Sequence, residues 1–349
     1  MTRASEFRDL VSGRRRGVGA AALRALLRAA EIPYTAAVKL RNRRFDSGRR
    51  PVERVGVPVI SVGNLSLGGT GKTPLVEWLA RWLRSRGVRV TIISRGYGAE
   101  AGARNDEALE LEERLPDVPH LQNPDRVAAA KVAIEEFDCQ CILLDDGFQH
   151  RRLARDLDLV LIDALEPFGF GHVFPRGTLR EPLAGLGRAH AVALSRADFL
   201  EPQERAKIKA VVQRVAPQAL WLELAHAPRR LESSAGKEQS LDWLRGRRVA
   251  AFCGLGNPAG FRRTLDGLGA AVADFREFPD HHPYQRCDIE ALTAWGDGLG
   301  ADALICTAKD LVKLRVEQLG RLPLWSLAIE LKIISGQNEL ETRLKPLLP

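Results

Sequence analysis

The feature that most limits how this chain can fold is a glycine loop set between two apolar elements. Residues 57–62 form a short apolar run that ends in Gly63-Asn64. Gly68-Gly69-Thr70-Gly71-Lys72-Thr73 follows, and from Pro74 to Arg86 the apolar residues Leu75, Trp78, Leu79 and Trp82 recur at helical spacing until Gly87 stops them. A buried strand that feeds a glycine turn opening a helix is an anion-binding arrangement. Glycines let backbone N–H groups approach phosphate oxygens, and the helix N-terminus adds partial positive charge. In such a loop Ser66, Leu67, Gly68, Gly69, Thr70, Gly71, Lys72 and Thr73 surround the phosphates of a nucleotide. Lys72 reaches the β- and γ-phosphates and the Thr73 hydroxyl ligates magnesium. The strict pattern has a glycine five residues before Gly71, where this chain has Ser66.

The rest of the chain agrees with a loop of this kind. Strands are expected at 88–93, 141–144, 157–162 and 191–194, with a helix at 127–137. Short apolar strands alternating with helices indicate a parallel sheet covered on both faces, an α/β fold of the P-loop NTPase type. A metal-binding acid belongs at the end of a neighbouring strand, and the run 141–144 leads into Asp145-Asp146-Gly147. Adjacent strand residues point to opposite faces, so only one of the two carboxylates faces the metal directly. Around residues 226–240 the pattern lapses into small and polar residues. A second alternation follows, with strands at 249–252, 271–275 and 303–306 and helices from Pro258 and Asp288. The expected organisation is a segment 1–50, a phosphate-loop domain 51–228, a smaller α/β domain 229–335 and a C-terminal helix 336–349 that returns to the first domain.

Charge sharpens the reading of the N-terminal segment. Residues 1–50 carry thirteen Lys and Arg against four Asp and Glu, a net of +9, while the whole chain is +8. The basicity is therefore local, which argues against a broad nucleic-acid surface on the folded domains. Leu23, Leu26, Leu27, Ile32, Tyr34, Val38 and Leu40 lie among Arg24 and Arg28, one turn apart. An apolar face beside a basic one suits a lipid interface, and Lys39, Arg41, Arg43 and Arg44 would sit over anionic headgroups. Arg24, Arg28, Glu31 and Pro33 interrupt the run too often for a membrane span. The same pattern equally describes an amphipathic helix packed on the domain with a solvated basic face. The N-terminus shows neither an apolar run nor a cleavage site of the secretory kind. Five scattered cysteines, at 139, 141, 253, 287 and 306, have neither disulfide nor zinc spacing, and fit a reducing compartment.

Three further patterns carry less. Gly254-Leu-Gly256-Asn-Pro-Ala259 follows a strand and opens a helix, with Asp274 twenty residues on, which meets the permissive dinucleotide fingerprint. Ser195-Arg-Ala-Asp198 stands where a regulatory P-loop GTPase carries its guanine-reading motif, but with the wrong first residue. His281, His282 and Cys287 match no familiar metal spacing.

Seven runs in order bear a family resemblance: Gly63-Asn-Leu-Ser-Leu-Gly-Gly-Thr-Gly-Lys-Thr-Pro74, Ser94-Arg-Gly-Tyr-Gly98, Asp145-Asp-Gly-Phe-Gln-His150, Gly177-Thr-Leu-Arg-Glu-Pro182, Phe252-Cys-Gly-Leu-Gly-Asn-Pro258, Asp280-His281 and Thr307-Ala-Lys-Asp310. Together they resemble the tetraacyldisaccharide 4′-kinases, the lipid A 4′-kinases of Gram-negative bacteria, a family that also lacks the glycine replaced by Ser66. The resemblance implies transfer of the γ-phosphate of ATP, with Mg2+, to the 4′-hydroxyl of a tetraacyl glucosamine disaccharide 1-phosphate. It implies work at the cytoplasmic face of the inner membrane through an N-terminal helix, two domains that close over the nucleotide, and neither a nucleic-acid nor an obligate protein partner. Asn105-Asp106-Glu107 resembles the family's Gly-Asp-Glu segment, with Asn105 in place of glycine. Asp106 is then the base that accepts the sugar hydroxyl's proton, and His281 the histidine that orients it. By the same resemblance Arg180 neutralises phosphate charge, and Glu181 joins Thr73, Asp145 and Asp146 as a metal candidate. Tyr97, Gln149 and His150 are candidates for nucleotide or sugar contact.

Overall fold

A computed structural model describes residues 3–96, 111–255, 258–279 and 282–349. The chain falls into two compact units, one of Met1–Gly98, Leu115–Ala225 and Leu331–Pro349, the other of Ala99–Arg114 and His226–Glu330. The N-terminal segment belongs to the first unit. The divisions after Ala225 and Glu330 each fall inside a continuous strand.

In the first unit α1 (Arg3–Val11) and α2 (Val18–Asp46) precede β1 (Val59–Asn64), α3 (Lys72–Arg84), β2 (Val90–Ser94) and β3 (His120–Gln122). Then come α4 (Arg126–Phe137), β4 (Cys141–Asp145), β5 (Leu157–Asp163), β6 (Ala191–Ser195), α5 (Pro202–Val215) and β7 (Leu220–Glu232). The sheet order is β7-β6-β5-β1-β4-β2-β3, and each pairing is parallel. Every residue of β1, β2, β4 and β6 is buried, which is why these strands read as unbroken apolar runs rather than alternating ones. On the helical side α3 buries Leu75, Val76, Leu79, Ala80 and Leu83. The Asp125 carboxylate caps α4 by accepting from the Val127 and Ala128 N–H groups. Val127, Ala130 and Ala133 of α4 then pack on Val59, Ile93, Ile142 and Leu144. Val62 of β1 lies in register with Asp145 of β4, so the segments leaving both strands open on the carboxyl edge of the sheet. That edge is where open α/β sheets bind their ligands.

Helix α2 runs unbroken through Pro33 and docks by Ala20, Glu31, Val38 and Phe45. The Glu31 carboxylate accepts from the Val173 N–H (2.9 Å) and from Arg28 (2.7 Å). The helix packs on the domain along one stripe, as an amphipathic helix docked there would, and leaves Leu26 67% and Ile32 66% exposed. Lys39, Arg43 and Arg44 are also exposed, whereas Arg41 is half-buried and its pKa is lowered by that burial, with Glu181 beside it opposing the shift.

The second unit continues with β8 (Glu238–Gln239), β9 (Arg248–Cys253), α6 (Pro258–Gly267), β10 (Ala271–Glu277) and α7 (Arg286–Leu299). It ends with β11 (Ala303–Thr307), α8 (Ala308–Leu314), β12 (Gln318–Leu319) and β13 (Leu322–Ser335). Strands β10-β9-β11-β13 pair in that order and in parallel. Phe252, Leu292, Trp295, Leu304 and Leu324 form its core. Helix α9 (Gln337–Leu344) lies in the first unit and buries Leu340 and Leu344. The described cysteines are free thiols, and burial holds that of Cys141 up at about 12, so it behaves as a small hydrophobe.

Candidate active site

Steric exclusion explains why the sequence runs meet at the glycine loop. A Cβ on Gly63 would stand 2.6 Å from the Cβ of Phe148 and 2.8 Å from its backbone nitrogen. A Cβ on Gly147 would stand 2.6 Å from Ser61 Oγ. Glycine at both positions lets β1 and the 145–150 turn close on each other. Asn64, the last residue of β1, donates from Nδ2 to Thr70 Oγ1 (3.0 Å) and so ties the strand end to the far side of the loop. Gly68 and Gly71 have φ of +106° and +80°, where side chains with a Cβ are strained. Ser66 has no positive φ and bridges Leu179 in an antiparallel pair, so glycine is not required there. The Leu67 N–H donates to the Thr178 carbonyl (2.7 Å) and the Arg180 N–H to the Leu65 carbonyl (2.6 Å). The 177–182 run is thus laid along the loop, which is what delivers Arg180 to it.

Charge concentrates on Asp146. Its carboxylate accepts from Arg180 Nη1 at 2.9 and 2.8 Å, and Lys72 Nζ lies 3.4 Å away. Burial alone would raise the Asp146 pKa, but the Lys72 and Arg180 cations outweigh it and hold the carboxyl below its usual value. Asp146 has φ +53°, in the left-handed region that Asp tolerates better than most residues. The preceding Asp145 is buried at the end of β4. Arg126, at the first turn of α4, is 4% exposed, and burial lowers its pKa while the fields of Asp146 and Asp145 oppose that shift. The Thr73 hydroxyl, in the first turn of α3, completes the inventory. Thr73 and Asp145 supply the hard oxygen donors that magnesium prefers, and phosphate oxygens commonly supply others, so these residues fit the ion.

Several expectations need correction. Glu181 is fully buried, and both its oxygens are taken. They accept from Asn42 (2.9 Å), Gln149 (3.2 Å) and Arg188 (2.9 Å to each). It is a structural anchor between Asn42, Gln149 and Arg188 rather than a metal ligand. Asp146 is committed to two cations, which leaves Asp145 as the carboxylate suited to magnesium. Gln149 bonds the Asn64 carbonyl (2.9 Å) as well as Glu181, so it braces the loop. His150 is held neutral by burial and by Arg126, Arg152 and Arg155, with a pKa of about 4. The 195–198 run has a different use: Arg196 grips the Asp163 carboxylate and donates from Nη2 to the Gly69 carbonyl (3.0 Å). Sequence reading missed this duty of Arg196, and missed Arg126 and Arg188 altogether.

In the second unit the 252–258 and 307–310 runs meet. Asp310, fully buried, accepts from the Gly254 N–H (3.0 Å), from the Tyr284 hydroxyl (2.8 Å) and from Thr307 Oγ1 (2.6 Å). Asp274 accepts from Trp295 Nε1 (2.8 Å) and from the Phe275 N–H (2.8 Å), so the acid of the dinucleotide fingerprint already has structural partners. His282 pairs with Asp288 at 3.0 Å. Tyr97, Asp106 and His281 lie outside the described residues. Among the described residues no group of three or more His, Cys, Asp or Glu could hold a metal by itself.

Comparison with known proteins agrees with this arrangement. The sequence pattern of one family, described as tetraacyldisaccharide-1-P 4′-kinase, matches residues 23–349. The tetraacyldisaccharide 4′-kinase of Anaeromyxobacter dehalogenans (strain 2CP-1) is 43% identical over 336 residues, which cover 90% of this chain and 88% of the relative. The protein of that name from Halothermothrix orenii is 38% identical, with 79% of this chain and 80% of the relative covered. The crystal structure of LpxK from Aquifex aeolicus, described as an "apo" form in complex with ATP, has a TM-score of 0.74 and 30% identity. That likeness covers 94% of this chain and all of the other.

Proposed function

The chain belongs to the tetraacyldisaccharide-1-P 4′-kinase family, and from that premise we propose that it moves the γ-phosphate of ATP onto the 4′-hydroxyl of a tetraacyldisaccharide 1-phosphate. The observation that carries this reading is the pairing of Lys72 and Arg180 on Asp146 at the mouth of the glycine loop. Two cations held by one carboxylate beside a helix N-terminus form a receptor for a polyphosphate end. They are also placed to neutralise charge on the transferred group, which is most of what phosphoryl transfer asks of a protein.

The roles follow from the residues. Lys72 and Arg180 bind the terminal phosphates and orient the γ-phosphorus. Arg196 and Asn64 keep the loop backbone shaped for the anion, through the Gly69 carbonyl and the Thr70 hydroxyl. Thr73 and Asp145 would hold Mg2+, which supplies charge neutralisation on the phosphates when bound. Asp106 accepts the hydroxyl proton and His281 orients Asp106. That assignment rests on the Asn105-Asp106-Glu107 run and on His281 in the family's order. The duty of Arg196 toward Gly69 accounts for the 195–198 run without a guanine-reading role, which disfavours a GTPase.

A peripheral position at the cytoplasmic face of the inner membrane fits α2. No described helix is long and apolar enough to cross a membrane. Yet Leu26, Ile32 and Leu40 are exposed beside Lys39, Arg43 and Arg44, the composition of a helix lying in a lipid interface. The substrate's acyl chains would place it in the same interface. The test is product structure. Phosphorus–proton correlation in the NMR spectrum of the lipid product, formed from ATP with GTP as the parallel donor, should place a new phosphomonoester on the 4′ carbon with ATP preferred. A phosphate at another carbon, or a GTP preference, overturns the proposal.

A further inference from the structure

We propose that Arg8 is a catalytic residue, an arginine that the chain's own N-terminal helix supplies to the γ-phosphate held in the glycine loop. This rests on the kinase reading above. Helix α1 lies ahead of residue 23, where the family match begins.

The geometry starts at Gly68. A Cβ there would stand 2.6 Å from Arg8 Nη2, so the guanidinium lies in the space that glycine leaves open on the loop. Gly68 is the third residue of the eight that enclose the phosphates, four before Lys72. Arg8 is held in place rather than merely near. Leu10 and Val11 of α1 are buried, and the Phe7 ring lies 6.2 Å from that of Phe174. Arg176 Nη1 donates to the Val11 carbonyl at the end of α1 (2.9 Å). The Arg8 side chain is restrained by Glu166, 3.8 Å away. Glu166 accepts from Thr178 Oγ1 (2.6 Å), and the Thr178 carbonyl accepts from the Leu67 N–H (2.7 Å). An ion pair to Glu166 and two hydrogen bonds beyond it thus connect the arginine to the loop it faces.

Electrostatics gives the placement a purpose. The loop already carries Lys72 and Arg180 on the single carboxylate of Asp146. Glu166 stands against Arg8 as Asp146 stands against Lys72 and Arg180, so three cations are held by carboxylates around one loop, and a terminal phosphate is the anion this loop is shaped to receive. In the transfer the bond from phosphorus to the β–γ bridging oxygen breaks and ADP leaves. The bond from phosphorus to the acceptor oxygen forms, and the hydroxyl proton passes to the base. Charge spreads over the three equatorial oxygens meanwhile. A planar guanidinium meets two of those oxygens at once, which a lysine ammonium cannot do.

The experiment uses full-length protein with Arg8→Ala and Arg8→Lys, which leave Phe7, Leu10 and Val11 in place to dock α1. Two quantities are measured: kcat with the lipid acceptor, and affinity for a non-hydrolysable ATP analogue relative to ADP, which needs no phosphotransfer. In Arg8→Ala we expect kcat to fall by about a hundredfold or more. The preference for the ATP analogue over ADP should fall about tenfold, and Arg8→Lys should restore little of either. Both quantities within threefold of wild type would overturn the proposal. So would a raised KM for the lipid with nucleotide discrimination intact, which would assign Arg8 to the lipid's 1-phosphate. Tighter nucleotide binding in Arg8→Ala would make Arg8 a plug and overturn it as well. Wild-type protein inactive on the lipid would sink the kinase reading, while the analogue-to-ADP ratio would still decide whether Arg8 meets a γ-phosphate.

Discussion

Asp146 is the carboxylate on which the phosphate-binding cations depend, so its pairing with Arg180 is the interaction to measure. The perturbation is a double-mutant cycle of Asp146→Asn and Arg180→Gln. Two charge-assisted hydrogen bonds of 2.9 and 2.8 Å join the pair. The Asp146 side chain is 36% and the Arg180 side chain 24% exposed, so solvent screens part of the attraction. Breaking a buried ion pair by removing one partner costs about 3–5 kcal/mol, and a surface pair contributes roughly 0–1 kcal/mol. A partly exposed pair joined through the single nitrogen Nη1 lies between them, and a coupling energy of about 1 kcal/mol is expected. Asn tolerates the left-handed backbone of Asp146, so the variant tests charge rather than conformation. The assay is chemical denaturation of wild type, both single variants and the double variant at low ionic strength. In the same series kcat for Asp146→Asn should fall well over tenfold, because Lys72 and Arg180 lose the group that sets their positions. Coupling below about 0.3 kcal/mol together with unchanged kcat would refute the argument that this pair organises the site.

Three further outcomes follow from the same structure. Gly63→Ala should destabilise the first unit by about 2–4 kcal/mol, read by denaturation, because the new methyl meets the Phe148 Cβ and backbone nitrogen, which cannot both move aside. His150 has a native pKa of about 4 against 6.5 in its ordinary state, so the unfolded chain takes up the proton first as pH falls. Its contribution is present above pH 6.5 and is lost between 6.5 and 4, by at most ~3 kcal/mol; His150→Asn should flatten the stability–pH curve over that window. Leu26→Glu with Ile32→Glu should weaken co-sedimentation with vesicles of anionic and zwitterionic phospholipid by about tenfold or more, while melting temperature changes little because both side chains are exposed.

Much of the first unit was legible for a physical reason. Strands buried on both faces must be continuously apolar, so β1, β4 and β6 announce themselves. Glycines that admit a close backbone approach cannot be replaced, so Gly63 and Gly147 mark where β1 and the 145–150 turn touch. Strands β7 and β13 were harder to read. Their burial is irregular along 13 and 14 residues, and β7 passes through the stretch that looks like a polar linker. At the site, Lys72 and Thr73 follow from local pattern, because the loop and helix that place them are contiguous in sequence. Long cations from elsewhere do not. Arg126 and Arg196 act through tertiary position, and nothing at their own sequence positions separates them from surface arginines. Glu181 shows the converse, since its place in a recognisable run says that it is needed but not whether it faces a metal or Arg188.

A glycine loop of this kind, with Lys72 and Arg180 on Asp146, serves here to phosphorylate a lipid disaccharide. The measurement that tests this most directly follows γ-labelled ATP in mixed detergent micelles containing tetraacyldisaccharide 1-phosphate and magnesium, with wild-type protein and Lys72→Met side by side. Label should enter the lipid with wild type, and almost none should with Lys72→Met, because the variant keeps the helix but loses the cation that grips the terminal phosphates. No lipid label from wild type, or equal label from both proteins, would contradict it.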